Sequence, residues 1–408
     1  MESVSDIARA SIPRGGDITL AENFTLQTFW VVLFALIAAT WIVQGARAAV
    51  GMARLPWLSH PLEGSEALPF VSILFAARDE AEKLPAAIQT LLAQDYPHFE
   101  VVAVNDRSQD QTAAILHEVA RHNSKLRVID IGELPAGWLG KPHALVAGVE
   151  QSRGDWLLFT DADVHFAPEV LRRAVTLALQ RQWDHLTLLT AIEMRGFWET
   201  VAISYFALGF VFGNEPWQAS NPRSGRYVGV GAFQLVRRTA YEACGGHRRL
   251  RMDVLEDMKL GKLIKVAGLA SGLAVAHDLV RVRWHSGVGN VIRGVTKNMF
   301  AACQFSVWYA AGAMLLPLVL SIGPFAGLAF AGGWARGFAA VAAAAAVLIH
   351  AAMMQSTGSS VLYGLTHPLG ALIFCWMLAR SAIATLWRGG VVWRDTFYPL
   401  KQLRKGLV

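Results

Sequence analysis

Apolar and polar positions change their period several times along the chain, and each change marks a different kind of element. From Pro69 onward, short apolar runs alternate with stretches of helical spacing. Phe70–Ala76 (FVSILFA) has strand length and leads into the polar loop Arg78-Asp79-Glu80-Ala81-Glu82, then into Leu84, Ile88, Leu91 and Leu92 at helical spacing. The unit recurs. Phe99–Val104 runs into Asn105-Asp106-Arg107-Ser108, and a helix is predicted over Ala113–His122 with Asp110 as a cap. Leu126–Ile131 supplies a third strand and Lys141–Gln151 a further helix. Trp156–Phe159 (WLLF), apolar throughout, has the pattern of a strand covered on both faces. Strands alternating with helices at this spacing predict an α/β domain with a mainly parallel central sheet. Tyr227–Arg238 reads as another strand, in which Gly229 and Gly231 admit close approach of backbone. Asp253–Leu263 reads as a helix with Leu260 and Leu263 on its apolar side.

Longer apolar blocks flank this domain. Asn23–Ala46 carries no charge and predicts a bilayer span over about 24–46. Glu2, Asp6, Asp17 and Glu22 ahead of it do not suit a cleaved leader. No Lys, Arg, Asp or Glu occurs between Lys297 and Arg336 or between Arg336 and Arg380, which predicts spans near 309–332, 337–354 and 362–386. Pro317 and Pro324 mark the first of these as a candidate for a tilted or re-entrant path. Gly196–Gly213 is apolar but contains Glu199 and is short for a crossing, so it reads as an interfacial helix, with a core helix as the alternative. Val288–Phe300 places Val288, Val291, Ile292, Val295 and Met299 on one stripe and reads as an amphipathic interfacial helix. The chain thus divides into a span and linker (1–68), an α/β domain (69–286), an interfacial helix (287–304), membrane spans (305–387) and a basic tail (388–408).

Composition agrees. The 408 residues are 54% hydrophobic, too apolar for a purely soluble chain. The net charge of +6 is not gathered in one run, which favours cytoplasmic flanks facing anionic lipid over nucleic-acid binding. Cys244, Cys303 and Cys375 have neither disulfide-framework nor zinc spacing. Three crossings after a cytoplasmic domain put the tail outside, yet Arg388, Arg394, Lys401, Arg404 and Lys405 favour the inside. Either one segment does not cross, or the charge rule fails here.

Candidate chemistry gathers where strands end. Asp161 and Asp163 follow the fourth strand, and Glu80 and Asp106 follow the first and second, so all four face the crevice where α/β sheets bind ligands. Two carboxylates one residue apart suit a hard divalent cation on a diphosphate, or else a polar turn. Lys141 opens a helix, where it either meets a phosphate or is a surface lysine. Asp257 reads as a general base or a helix-dipole partner, and Glu256 beside it points another way, so only one of the two is expected to face the crevice. Arg293 and Lys297 suit a diphosphate or lipid phosphates.

These residues together resemble the membrane-bound, lipid-glycosylating branch of the family 2 glycosyltransferases, which includes ceramide, carotenoid and hopanoid-associated enzymes. VSILFAARDEAEKL resembles the first strand and its P-A-R-N-E turn, with Ala76 and Asp79 in place of proline and asparagine. VNDRSQDQT, GKPHALVAGV and FTDADVHFAPEVL resemble the nucleotide, G-K and D-x-D segments. GAFQLVRRTAYEACGGH, LEDMKLG and GGVVWRDTFYPL resemble the acceptor-side, catalytic-base and C-terminal motifs. The resemblance implies a GT-A fold and inverting transfer from a nucleotide diphosphate sugar, a UDP-sugar, to a membrane lipid hydroxyl. It implies that Ala77, Arg78, Glu80, Asp106, Lys141 and Asp161 bind the donor, and that Asp161 and Asp163 hold Mg2+ or Mn2+. Asp257 is then the base, with Glu256, Arg293 and Lys297 toward diphosphate or acceptor. The expected setting is a bacterial inner membrane with the catalytic domain in the cytoplasm. One motif departs: Arg283-Trp284 is present, but Val280 stands where [QR]-x-x-R-W has Gln or Arg. Polyprenyl-phosphate transfer, polysaccharide synthesis and a non-catalytic scaffold are the alternatives.

Overall fold

The apolar runs pair into one curled sheet because each needs cover on both faces. A computed structural model describes residues 15–60, 68–284 and 287–408, with side chains from Thr25 in the first stretch. The side chains of Glu2, Asp6, Asp17 and Glu22, and linker residues 61–67, lie outside the described residues. The strands are β1 (Val71–Ala77), β2 (Phe99–Asp106), β3 (Leu126–Ile131), β4 (Trp156–Phe159), β5 (Val164–Phe166), β6 (His185–Ile192), β7 (Gln234–Arg237) and β8 (Ser271–Val282). They lie in the order β3-β2-β1-β4-β7-β6-β8-β5. Val71 is opposite both Phe99 and Trp156, so β1, β2 and β4 run in parallel and end at one edge. One face buries Ile73, Phe75 and Leu158 under Ile88 and Leu91; the other buries Leu74, Val102 and Val104 under Leu145 and Val149.

The sheet is less uniformly parallel than the alternation suggests, since β7 runs against both neighbours and β5 runs against β8. The strand expected over Tyr227–Arg238 forms only at its C-terminal third. Its first half is a loop, because the Gly229 and Gly231 backbone turns toward the Asp257 region instead of a strand partner.

Among the described residues, four helices are long and apolar enough to cross a bilayer: Thr25–Ala53, Val307–Phe330, Gly333–Ser356 and Val361–Arg388. The second is broken by a π-helical turn, Leu318–Ile322, directly after Pro317. Its freed Leu320 carbonyl accepts from Trp41 Nε1 at 2.8 Å. The fourth opens as a 3-10 turn before the helix His367–Arg388. Phe197–Asn214 forms the expected short helix; Glu199, the residue least suited to a bilayer, is buried and accepts from the Arg195 and Gly287 amides at 2.8 and 2.6 Å.

Two expectations are corrected here. The single amphipathic helix over Val288–Phe300 is two, Val288–Thr296 and Met299–Ala302. Ser381 is the cause: its hydroxyl donates to the Thr296 carbonyl at 2.5 Å and accepts from the Phe300 amide at 3.0 Å, replacing the helical bond between them. The basic tail is a folded element, with β9 (Gly390–Trp393) and β10 (Thr396–Pro399) forming an antiparallel hairpin that continues into the helix Leu400–Lys405. Val391, Tyr398 and Leu403 are buried beside Leu139, Met252 and Phe300. Lys259 Nζ donates to the Val408 carbonyl at 2.5 Å.

Candidate active site

The loops leaving β1, β2 and β4 emerge side by side and tie one another down. The Asp79 amide donates to Ser108 Oγ at 3.2 Å and the Gln109 amide to Asp79 Oδ1 at 2.7 Å. The Glu80 amide donates to Thr112 Oγ1 at 2.8 Å. The N-cap of the following helix, Thr112–His122, is Gln111 rather than Asp110, which accepts from the Thr112 and Ala81 amides at 2.9 and 3.0 Å. Asp106 is held by both arms of Arg107, at 2.7 and 3.1 Å. Gly140 makes that pair possible, because any Cβ there would collide with the Asp106 carboxylate and the Arg107 guanidinium.

Beyond β4 the acids meet cations. Lys141 Nζ lies 2.6 Å from Asp161 Oδ1 and 2.7 Å from Glu256 Oε1, and Lys83 Nζ lies 2.7 Å from Asp163 Oδ2. Asp257 Oδ2 accepts from the Gly231 amide at 3.1 Å, and its Oδ1 accepts from Met258 at 2.7 Å. A Cβ on Gly231 would stand 2.9 Å from Asp161 Oδ2 and 3.1 Å from Asp257 Oδ2, so the two carboxylates share one narrow site.

Glu256 and Asp257 therefore converge, contrary to the expectation that one would turn away. They occupy the first turn of Glu256–Val266. There Glu256 reaches sideways to Lys141 while Asp257 folds back to the Gly231 amide. Spacing rules for mid-helix faces do not govern a helix end whose side chains fan outward.

The electrostatics follow. Burial opposes the Lys141 charge, but Asp161, Glu256 and Asp257 outweigh it and hold the ammonium well above its usual range. The same ammonium overcomes burial at Asp161 and keeps that carboxyl low. At Asp257 burial and the Glu256 charge win over Lys141, and the carboxyl is pushed up to about 6. Burial pulls Lys297 down to about 8 against the pull of Glu256, with its ammonium 4.1 Å from the centre of the Trp393 ring.

A cavity of about 1570 Å3 joins these groups. Ala77, Arg78, Glu80, Asp106, Lys141, Asp161, Asp163, Glu256, Asp257, Arg293 and Lys297 all line it, although Arg293 pairs with Asn290 Oδ1 (2.6 Å). The same cavity is lined by apolar side chains as well, among them Phe206, Phe210, Met353, Phe374 and Leu378. Lys83, Arg107, Trp393 and Arg394 line or brace the crevice without having been singled out from the sequence. Their signal was their position inside segments that carried the resemblance. Asp161 and Asp163 offer oxygen alone, the donor type of a hard divalent cation. Among the described residues no cluster of three or more His, Cys, Asp or Glu forms a closed metal site, so a cation here would draw further ligands from water or a bound phosphate.

A sheet of this order, with acids at the ends of its parallel strands, is of the GT-A type. A solved mannosyltransferase, PcManGT from Pyrobaculum calidifontis, in complex with GDP-Man and Mn2+, superposes with a TM-score of 0.50 at 21% identity, covering 89% of this chain and 99% of that one. Residues 72–244 match the family model described as Glycosyl transferase family 2. A 4,4'-diaponeurosporenoate glycosyltransferase of Staphylococcus haemolyticus is 24% identical over 262 residues, which are 64% of this chain and 68% of the relative. A beta-monoglucosyldiacylglycerol synthase of Trichormus variabilis is 27% identical over 318 residues, 70% of this chain and 65% of the relative. The chain thus spans about two thirds of the length of these relatives.

Proposed function

We propose that this protein is a membrane-embedded inverting glycosyltransferase that moves a sugar from a nucleotide diphosphate sugar, a UDP-sugar, to the hydroxyl of a membrane lipid. The observation that carries the reading is that one cavity is lined both by the acidic crevice and by Met353, Phe374 and Leu378 of membrane-length helices. A donor's diphosphate suits the charged part of this lining, and a lipid suits the apolar part. The names of two relatives, a 4,4'-diaponeurosporenoate glycosyltransferase and a beta-monoglucosyldiacylglycerol synthase, support a lipid acceptor.

In this reading the acceptor oxygen forms the new bond at the anomeric carbon as its proton passes to Asp257. The bond from that carbon to the nucleoside diphosphate breaks, and the electron pair leaves with the diphosphate. Asp257 suits the base because burial and Glu256 raise its proton affinity while it stays largely ionised at neutral pH. Lys141 holds Asp161 and Glu256 in place, and Lys297 adds positive charge beside them. A Mg2+ or Mn2+ ion held by Asp161 and Asp163 supplies, when bound, charge against the leaving diphosphate. The setting is a bacterial inner membrane with the domain in the cytoplasm.

The test is transfer from radiolabelled UDP-sugars to total membrane lipid, with Mn2+ and with a chelator. Labelled lipid that disappears on chelation is expected. Asp257→Asn is expected to lower turnover by roughly 10²- to 10⁴-fold while UDP binding persists. Unchanged turnover would remove Asp257 as the base. Donor binding without any labelled lipid would favour polymer synthesis instead.

A further inference from the structure

Arg394 stands at the tip of the β9–β10 hairpin against the local preference of its own backbone. Both central turn residues, Arg394 (φ 48°) and Asp395 (φ 62°), lie in the left-handed region. A two-residue turn that matches the strand twist demands this, and Gly, Asn and Asp meet the demand at little cost. Arginine does not, so its presence calls for a reason outside the turn.

That reason is where the side chain reaches. The hairpin is fixed by burial of Val391 and Tyr398, and its tip carries the guanidinium onto Glu80, 314 residues earlier, in the loop leaving β1. The Arg394 charge is also felt at Asp161, and Lys297 stands over the neighbouring Trp393 ring. A half-exposed ion pair contributes little stability by itself, so the contact with Glu80 does not account for Arg394. Guanidinium offers five donors in a planar fork and one carboxylate engages two at most, which leaves donors for a second, oxygen-rich anion.

We propose that Arg394 binds the diphosphate of the sugar donor and that Glu80 positions it there. This rests on the donor reading above, because a diphosphate between the β1 and β4 loops would lie beside Glu80 and Asp161. The hairpin is then part of the donor site, supplied by a segment that follows the membrane helices.

The experiment is calorimetric titration of the full-length protein in detergent with Mn2+, using UDP and GDP and, as controls, UMP and GMP. Arg394→Asn suits the left-handed turn, so its melting temperature is expected to equal or exceed the parent's. It is expected to weaken diphosphate binding about 10- to 100-fold, the loss of a charge-assisted contact, and to leave monophosphate binding nearly unchanged. Glu80→Gln is expected to cause a smaller loss of the same kind. Undiminished diphosphate binding by Arg394→Asn overturns the assignment while leaving the donor reading intact. Equal losses for mono- and diphosphate also overturn it and mark a structural latch. A parent protein that binds neither diphosphate sinks the donor reading and the Arg394 assignment together.

Discussion

In the proposed mechanism, Asp257 and Lys297 set opposite edges of one pH window. Asp257 accepts a proton only when ionised, and with its carboxyl pushed up to about 6 it loses that capacity as pH falls through 6. Lys297, pulled down to about 8, loses its positive charge as pH rises through 8. The expected kcat/KM profile is therefore a bell with its plateau between these values. Lys297→Arg is expected to remove the alkaline limb, since a guanidinium stays charged; a limb unmoved by that change would detach Lys297 from the reaction. A second residue-scale prediction falls on Gly140. Gly140→Ala is expected to separate Asp106 from Arg107 and to weaken nucleotide binding in calorimetry, with the fold retained by circular dichroism. At this scale much of the site was legible. Asp106, Asp161 and Asp163 declared themselves as acids directly following strand-length apolar runs. The joint arrival of Glu256 and Asp257 was not, because it depends on where the Gly231 amide lies, and no local period encodes that.

His185, the first residue of β6, links an element to the acid stability of the domain. Its ring is fully buried between Ser271 Oγ at 2.9 Å and Gln234 Oε1 at 3.2 Å, and burial lowers it to about 4. The folded state thus resists the proton that the unfolded chain accepts below about 6.5. Stability from this group is complete above 6.5 and is lost as pH falls toward 4, by an amount on the order of 3 kcal/mol. His185→Gln is expected to flatten the melting temperature between pH 6.5 and 4; an unchanged slope would assign acid lability elsewhere. The β6 and β8 strands were also the elements least legible from sequence. In β8, Gly272, Ala274, Ala276 and His277 dilute any strand signal, and the element forms because it pairs in parallel with β6 and stacks Gly272 against Trp183. Tertiary pairing decides such a segment, whereas WLLF of β4 is decided by its own composition.

At the scale of the molecule, the path of the last apolar segment bears on the conflict between crossings and tail charge. The first span leads into the catalytic domain at its C-terminal end. Gly333–Ser356 runs beside it in the same sense, since Gly333 approaches Gln27 and Gly45 approaches Ile349. Its end at Ser356 is therefore on the domain side, and Val307–Phe330 before it runs away from the domain. The remaining segment turns back toward the domain. Gly364 packs on Val347 and Ala351, near the domain-side end of the previous helix. Farther along, Ser381 bonds to Thr296 and Phe300, and the hairpin that follows reaches Glu80. Val361–Arg388 is long and apolar enough to cross; with both ends on one side, it is expected to be re-entrant or interfacial instead. The tail then shares the compartment of the domain, where its basic residues are favoured. Single cysteines at the exposed positions Gln109, Lys405 and Gly332, in a background without the three native cysteines, test this with a membrane-impermeant maleimide. Gln109→Cys and Lys405→Cys are expected to label from the same face of sealed vesicles and Gly332→Cys from the opposite face. Labelling of Lys405→Cys together with Gly332→Cys would mean that the last segment crosses. The hairpin would then be unable to reach Glu80, so the same result would also remove Arg394 from the donor site.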